Sequence, residues 1–148
     1  MTRVIEGLEE LRALEGQEAG ASEWITVTQD MIDRFADLTD DHQWIHVDVA
    51  RAQRESRFGT TVAHGFLTLS LLSQLMHQAV EVRGGFQMLI NYGFNRLRFV
   101  SPVPAGSRIR ARLAVKSVVE NEVIWLAMIE LEGSEKPAIV ADWLERFY

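Results

Sequence analysis

A short polar segment in the first third of the chain contains the side chains best suited to proton transfer. It reads TDDHQWIHVD over residues 39–48 and contains Asp41, His42 and His46. Histidine both accepts and donates a proton near physiological pH, and a carboxylate five residues away across a turn can share one water molecule with it. Because the residues between them are partly apolar, a dry loop would separate the two pKa values, as acid–base partners require. Asp41 and His46 are therefore a candidate acid–base pair.

Two other interpretations of this segment stay open on spacing alone. In the first, Asp41 caps a turn and His46 is a hydrogen-bonded core histidine without a chemical role. In the second, His42 and His46 bind a metal ion, because a spacing of four residues places two side chains on one helix face. The metal interpretation is the weaker one, since the segment is a poor helix and no third ligand has an obvious spacing. We therefore predict no metal site.

A second feature is the pair His64-Gly65, which precedes the most apolar stretch of the chain, FLTLSLLSQLMHQAV. The first backbone N–H groups of a helix have no intrahelical acceptor and bind negative charge well. A glycine there also lets a substrate carbonyl approach the backbone closely. Gly65 is therefore a candidate donor to an oxyanion. The alternative is structural: Gly65 eases a tight turn and His64 caps the helix.

The elements that must position these residues are indicated by periodicity. Apolar spacings of three and four residues predict an amphipathic helix over 4–14, stopped by Gly16. A short strand is predicted over Ser22–Val27. Thr28 is placed to cap a second helix, which we expect to end near Asp40.

Later in the chain the pattern changes from helical to alternating. A short helix is predicted over 49–55, and the stretch after Gly65 reads as a long central helix that ends before Gly84. Because this helix is apolar on nearly every face, other elements must wrap around it. Four antiparallel strands are predicted over residues 86–100, with a bulge at Gly93, and over 107–119, 123–131 and 138–147. The order favours an α+β fold in a single domain over 1–148, with one sheet around a long central helix.

Composition restricts the classes of function. The chain has 148 residues and no cysteine, which excludes a disulfide framework, a thiol nucleophile and thiolate–zinc sites. A formal net charge of -6 argues against nucleic acid as the main partner. No apolar run approaches the roughly 18 residues that span a membrane, and the N-terminus lacks a signal-type segment. We therefore expect no membrane insertion and a cytoplasmic location.

Three motifs, in this order, resemble a known family. They are FADLTDDHQWIHVD, FGTTVAHGFLTLSLL and INYGFNRLRFVSPVPAGSRIRA. They resemble the MaoC-like (R)-specific enoyl-thioester hydratases, in particular the nodulation-protein-N-like branch, which includes mycobacterial 3-hydroxyacyl-thioester dehydratases. The resemblance extends from about Trp24 to the C-terminus. It implies a hot-dog fold, in which a sheet wraps a central helix, and a homodimer.

The resemblance also implies roles for single residues. Asp41 and His46 take the acid–base positions of the hydratase motif, and Gly65 takes the position whose backbone N–H binds the substrate carbonyl oxygen. Gln43 stands where many members have Asn, and Trp44 where many have Pro; the Gln amide can still orient a neighbour. The implied reaction is reversible hydration of a trans-2-enoyl thioester to an (R)-3-hydroxyacyl thioester. No cofactor is implied, since CoA or acyl carrier protein is part of the substrate.

Two further functions stay open at this point. One is a hot-dog acyl-CoA thioesterase, which usually needs a carboxylate on or near the central helix; residues 64–80 contain no Asp or Glu. The other is a non-catalytic acyl-thioester-binding subunit, which would gain nothing from keeping both Asp41 and His46. Both alternatives are disfavoured on these grounds.

Overall fold

The computed structural model describes residues 1–148, and none of its helices has the length and apolarity needed to cross a bilayer. Short strands and helices make up the first half, and four long strands form most of the second half. In chain order the elements are β1 (Arg3–Glu6), α1 (Gly7–Ala13), β2 (Glu18–Ala21), β3 (Ile25–Thr26), α2 (Gln29–Thr39), α3 (Trp44–Val47), α4 (Val49–Glu55), α5 (Gly65–Ser70), α6 (Leu72–Ala79), β4 (Val80–Arg83), β5 (Leu89–Phe99), β6 (Arg108–Val119), β7 (Glu122–Leu131) and β8 (Ile139–Phe147).

The four long strands confirm the prediction from alternation. They form one antiparallel sheet in the order β6-β7-β8-β5, and the short strands β2 and β3 both pair with β6. The pairing of β5 with β8 shifts register between Asn91 and Gly93, which confirms the predicted bulge. β7 lies inside the sheet and buries alternate side chains, including the fully buried Trp125. The face that carries these side chains packs against the central helix.

The central helix differs from the prediction in its continuity, whereas its end before Gly84 agrees with it. It consists of α5 and α6, joined at Leu71, whose backbone stays in the right-handed helical region (φ -70°, ψ -13°). It ends at Ala79, well before Gly84. The residues between them form β4, which pairs in parallel with β1. The β-branched Val80 and Val82 favour this strand, and the neighbouring β1 supplies its hydrogen-bond partners.

The apolar composition of the central helix suggested that other elements cover every face of it, but one side is exposed. Its inner side is buried, including Leu67, Leu72 and Leu75. On its outer side Phe66 is 67% exposed. β5, which forms the free edge of the sheet, likewise contains no buried residue. The exposed large apolar side chains along this edge are Met88, Ile90, Tyr92, Phe94 and Phe99.

The N-terminal region differs from the helix predicted over 4–14. Helix α1 begins only at Gly7, and the residues before it form β1. Gly7 has a positive φ of 75° at the junction between the strand and the helix. Ile5 is fully buried in this strand. Apolar spacing alone did not distinguish the two structures, because a strand of four residues is too short to show its own period.

Strand β2 has no counterpart in the sequence-based prediction, and β3 is shorter than the strand predicted over 22–27. The sequence EAGA of β2 lacks the β-branched residues that usually indicate a strand. Gly20 explains its place: a Cβ there would lie 2.7 Å from the Ala79 carbonyl oxygen. The glycine therefore lets the end of α6 pack directly on the strand.

Two predicted helices that surround the polar segment are confirmed. In α2 the Thr28 side chain accepts a hydrogen bond from the Met31 N–H, and Asp40 ends the helix with a left-handed backbone (φ 55°). Helix α4 has the predicted bounds. The Asp48 side chain caps it by accepting from the Arg51 N–H at 3.0 Å. The polar segment is thus held between two well-capped helices.

Candidate active site

The polar segment contains one turn of helix where the sequence predicted an irregular loop. After α2 the Asp41 N–H donates to the Ala36 carbonyl oxygen at 3.1 Å, which fixes the start of the segment. α3 then begins, and the His46 N–H donates to the Gln43 carbonyl oxygen at 3.0 Å. This turn directs the His46 side chain into the protein, where it is only 8% exposed.

The imidazole of His46 has one nitrogen engaged and one free. Its Nδ1 lies 2.6 Å from the Val62 carbonyl oxygen. Because a carbonyl oxygen only accepts, Nδ1 carries the hydrogen and Nε2 keeps its lone pair. Burial lowers the pKa of His46 from its usual 6.5, although the Val62 hydrogen bond opposes this shift. The ring is therefore a neutral base at neutral pH.

Asp41 and His46 meet a third titratable side chain, His64. One polar atom from each of the three lies within 4.8 Å of the others. Asp41 is exposed, whereas both histidines are buried. We call these three residues the Asp–His cluster. Proximity of Asp41 and His46 agrees with the sequence-based prediction, and their catalytic roles stay predictions.

One interpretation of the sequence was that the His64 side chain caps the central helix, and the structure does not support it. Its side chain makes no capping hydrogen bond. Instead its Nε2 donates to the Asp41 carbonyl oxygen at 3.0 Å, and its ring stacks on His46 with centroids 3.9 Å apart. The only signal for this in the sequence is that His64 precedes Gly65, a position already of interest.

The second histidine of the polar segment, His42, points away from the Asp–His cluster. Its Nε2 lies 2.9 Å from Asp37 and its Nδ1 3.4 Å from Asp40. The hydrogen bond with Asp37 is the largest cause of a raised pKa for His42. The pair His42 and His46 therefore does not form the predicted alternative metal site. A different set of possible ligands, Asp41, His46 and His64, does lie together, and His64 has no sequence spacing that would have indicated it. That no metal binds stays a prediction.

Gln43, proposed from the family motif, takes part only through its backbone. Its N–H donates to the Asp41 carboxylate at 3.4 Å, and its carbonyl oxygen accepts from the His46 N–H. The side chain is exposed and forms no capping hydrogen bond. Its longer arm thus leaves the amide outside the hydrogen bonds that hold the pair.

Gly65 is the first residue of α5 and immediately follows His64. A backbone N–H at this position has no intrahelical acceptor. A Cβ on Gly65 would lie 2.9 Å from the Phe99 ring, so a larger residue would displace that ring. The glycine thus keeps the backbone open beside the Asp–His cluster.

A cleft of about 280 Å³ lies at Gly65. Its walls are mostly apolar and come from α3, the connection after α4, β5 and β8. Among the lining residues are Ile45, Phe58, Val62, Phe99, Val103 and Ile139. A larger cavity of about 500 Å³ lies near the end of α6, around Met76 and Phe86. We favour the smaller cleft, because Gly65 and neighbours of the Asp–His cluster line it.

A sheet wrapped around a central helix, with titratable side chains at the start of that helix, defines a hot-dog protein with a candidate acid–base site. The chain belongs to the family of the MaoC like domain, whose model matches residues 10–125. This confirms the family that the three sequence motifs indicated.

The chain is similar to characterised relatives over most of its length. 3-hydroxyacyl-thioester dehydratase Z of Mycobacterium tuberculosis (strain ATCC 25618 / H37Rv) is 46% identical over 150 residues, covering 98% of each chain. Nodulation protein N of Rhizobium meliloti (strain 1021) is 45% identical over 142 residues, covering 93% of this chain and 88% of the relative. The unliganded R-hydratase from Pseudomonas aeruginosa superposes with a TM-score of 0.74 at 23% identity, covering 90% of this chain and 81% of that structure. The hot-dog fold is thereby confirmed.

Proposed function

We propose that this chain catalyses the reversible addition of water to trans-2-enoyl thioesters, with (R)-3-hydroxyacyl thioesters as products. The observation that carries the proposal is the Asp–His cluster, in which Asp41 and His46 lie together beside Gly65. A family of dehydratases and an R-hydratase with the same fold support it.

The Gly65 backbone supports the first part of the reaction. The thioester carbonyl oxygen accepts a hydrogen bond from the Gly65 N–H, which draws electron density from the double bond. Attack at the β-carbon places negative charge on that oxygen, and a preorganised donor there contributes roughly 3 kcal/mol. A Cβ on Gly65 would lie 2.9 Å from the Phe99 ring, so only a glycine lets this ring stay beside the proposed donor.

His46 and Asp41 support the proton transfers. The His46 Nε2 lone pair takes a proton from water as the water oxygen bonds to the β-carbon, while the Val62 carbonyl holds Nδ1. The proton taken by His46 is then passed to the α-carbon with the assistance of Asp41, so the double bond gains one H and one OH from one water and both side chains end in their starting protonation states. Dehydration is the same path in reverse. The protonation states belong to the coupled pair rather than to either residue.

The proposed scheme uses only water and protons, and we propose that the enzyme needs no metal or redox cofactor. CoA or acyl carrier protein enters as part of the thioester substrate. A cytoplasmic location stays a prediction.

Product analysis with crotonyl-CoA tests the proposed function directly. We expect loss of enoyl absorbance without release of free thiol, and a 3-hydroxybutyryl product that an (R)-specific dehydrogenase oxidises. Free thiol would instead indicate a thioesterase, although neither α5 nor α6 contains a carboxylate. Saturable binding without any turnover would indicate a non-catalytic thioester-binding subunit.

We also propose that a second copy of this chain covers the exposed edge of the sheet, which gives a homodimer. β5 has a free edge and apolar side chains facing solvent, a combination that favours pairing with another strand. In sedimentation experiments the wild type is expected to be a dimer and Phe94→Lys a monomer. Leu38→Lys is the control, because Leu38 is 83% exposed and belongs to α2 rather than to the sheet. A monomeric wild type would contradict the proposal.

A further inference from the structure

His64 stands out among the residues near the cleft because its side chain contacts both members of the candidate pair. It is 3% exposed, and it belongs to the connection just before α5. We propose that His64 is a positioning residue for the hydration reaction, holding the Asp41 backbone through Nε2 and the His46 ring through stacking. This inference rests on the proposed function and adds a third side chain to it.

The hydrogen bond to Asp41 completes the anchoring of that residue's main chain. The Asp41 N–H already donates to the Ala36 carbonyl oxygen at 3.1 Å. The Asp41 carbonyl oxygen accepts from the His64 Nε2–H at 3.0 Å. Both polar backbone atoms of an exposed residue are therefore held, immediately after the left-handed turn at Asp40. The position of the Asp41 Cα is therefore fixed, although the residue is exposed to solvent.

The stacking contact fixes the other member of the pair. The rings of His46 and His64 lie nearly parallel, with an interplanar angle of 24° and centroids 3.9 Å apart. The His46 ring is also tied at Nδ1 to the Val62 carbonyl oxygen. One hydrogen bond leaves a ring free to tilt about it, and the stack removes that freedom. Displacements of about 1 Å are enough to cost large factors in rate.

A packing role alone does not explain an imidazole at this position. Its Nδ1 is buried and has no hydrogen-bond partner. A buried nitrogen without a partner destabilises the fold. A phenylalanine would fill the same space and keep the tilted contact with Phe35, whose ring centroid lies 5.0 Å away, without burying such a nitrogen. What phenylalanine lacks is the Nε2–H that holds Asp41.

His64 also bears on the charge of His46. Burial is the main cause of the lowered pKa of His46, and the neighbouring His64 acts in the same direction, against Asp41 and the Val62 carbonyl. The groups around the His64 ring are Phe35 from α2, Asp41 through both its backbone carbonyl and its nearby carboxylate, and His46 from α3. Removing the second imidazole is therefore expected to raise the pKa of His46.

Two substitutions separate the hydrogen bond from the ring. His64→Phe keeps a ring and loses the donor to Asp41. His64→Gln loses the ring and keeps an amide N–H at the reach of Nε2. His77→Gln is the matched control, because His77 is exposed on α6. All are compared with the wild type for crotonyl-CoA hydration, thermal midpoint and the pH titration of the His46 ring by NMR.

We expect His64→Phe to lower kcat by about tenfold or more with little change in KM. His64→Gln should recover part of that loss, and in this variant the His46 titration and the acid limb of kcat/KM should move to higher pH. His77→Gln should match the wild type.

A structural role makes different predictions and would overturn the inference. In that case His64→Phe keeps wild-type kcat, and His64→Gln changes only the thermal midpoint. If His64→Phe does not fold, His64→Gln decides: an unchanged His46 titration together with unchanged kcat overturns the inference. An inactive wild type would refute the hydratase proposal itself. If the wild type is active, the results with these variants bear only on the role of His64.

Discussion

Two titratable groups, one on a helix and one on a strand, are buried in very different settings. His46, beside the cleft, has a pKa lowered mainly by burial. Glu145 on β8 is 3% exposed, and burial raises its pKa to about 7 although the Trp125 indole N–H donates to it at 2.9 Å. It lies six residues beyond Ile139, a residue of the cleft wall, or about 20 Å along an extended strand. Desolvation thus favours the neutral form in both places.

The two residues differ in the groups that surround them rather than in their burial. His46 has a second imidazole, an exposed carboxylate, an adjacent cleft and a free lone pair. Glu145 has one hydrogen-bond donor and lines none of the larger cavities. A shifted pKa therefore does not mark a site by itself. Convergence of several groups on a space that a substrate can occupy does.

The largest effect is expected from substitutions in the Asp–His cluster, which test whether these residues are catalytic. Asp41→Asn or His46→Gln is expected to lower kcat for crotonyl-CoA hydration by about 10³-fold, the usual range for loss of an acid–base group. His42→Gln is the matched control, since its side chain bonds to Asp37 outside the Asp–His cluster. Near wild-type rates in either cluster variant would show that the pair is not the acid–base pair.

The next effect concerns stability at Glu145. Its folded-state pKa is about 7, above the usual 4.5. The contribution of Glu145 to the free energy of unfolding is therefore fully present below pH 4.5 and is lost as the pH rises through 7. Glu145→Gln should therefore unfold with a free energy about 2–3 kcal/mol higher than the wild type at pH 8. Denaturant titrations at several pH values measure this. Loss of hydratase activity in this variant would contradict the view that Glu145 is purely structural.

Gly65→Ala sharpens the role of the helix start. Its Cβ would lie 2.9 Å from the Phe99 ring, so that ring, which lines the cleft, must shift. We expect kcat/KM to fall about tenfold, through misplacement of the thioester relative to its oxyanion donor. Adding Phe99→Leu should restore part of the loss. An unaffected Gly65→Ala enzyme would argue that the thioester binds elsewhere.

The pH profile tests the charge of His46 in the wild type. The base must be unprotonated, and its pKa is lowered from 6.5. The acid limb of kcat/KM should therefore have its midpoint below pH 6.5. Rates measured with crotonyl-CoA across the acid range establish the midpoint. A midpoint above 6.5 would mean that a neighbouring negative charge, and not burial, dominates at His46.

The smallest effect is expected from metal removal. Dialysis against EDTA should leave kcat unchanged, because the proposed scheme uses only protons and water. The Asp–His cluster nevertheless has ligand types that suit zinc. Loss of activity on chelation, with recovery on adding Zn²⁺, would assign these residues to a metal centre instead.

Local patterns in the sequence determined a large part of this molecule. Alternation located β5 to β8, Thr28 and Asp48 lie where their helices are capped, and Gly93 marks a real bulge. Asp41 and His46 lie five residues apart, so the spacing itself limited their separation. These features depend on neighbours two to five positions away, which is the range over which strand and helix periods are visible.

Only the tertiary structure decided the contacts between distant segments. His64 is 23 residues from Asp41 and reaches its carbonyl because α5 starts beside the polar segment. β4 forms by pairing with β1, which lies almost 80 residues earlier in the chain, and no strand was predicted there. The exposure of Phe66 on the central helix is likewise visible only in the folded structure. Such contacts leave no period in the sequence, because they depend on how whole elements pack rather than on local spacing.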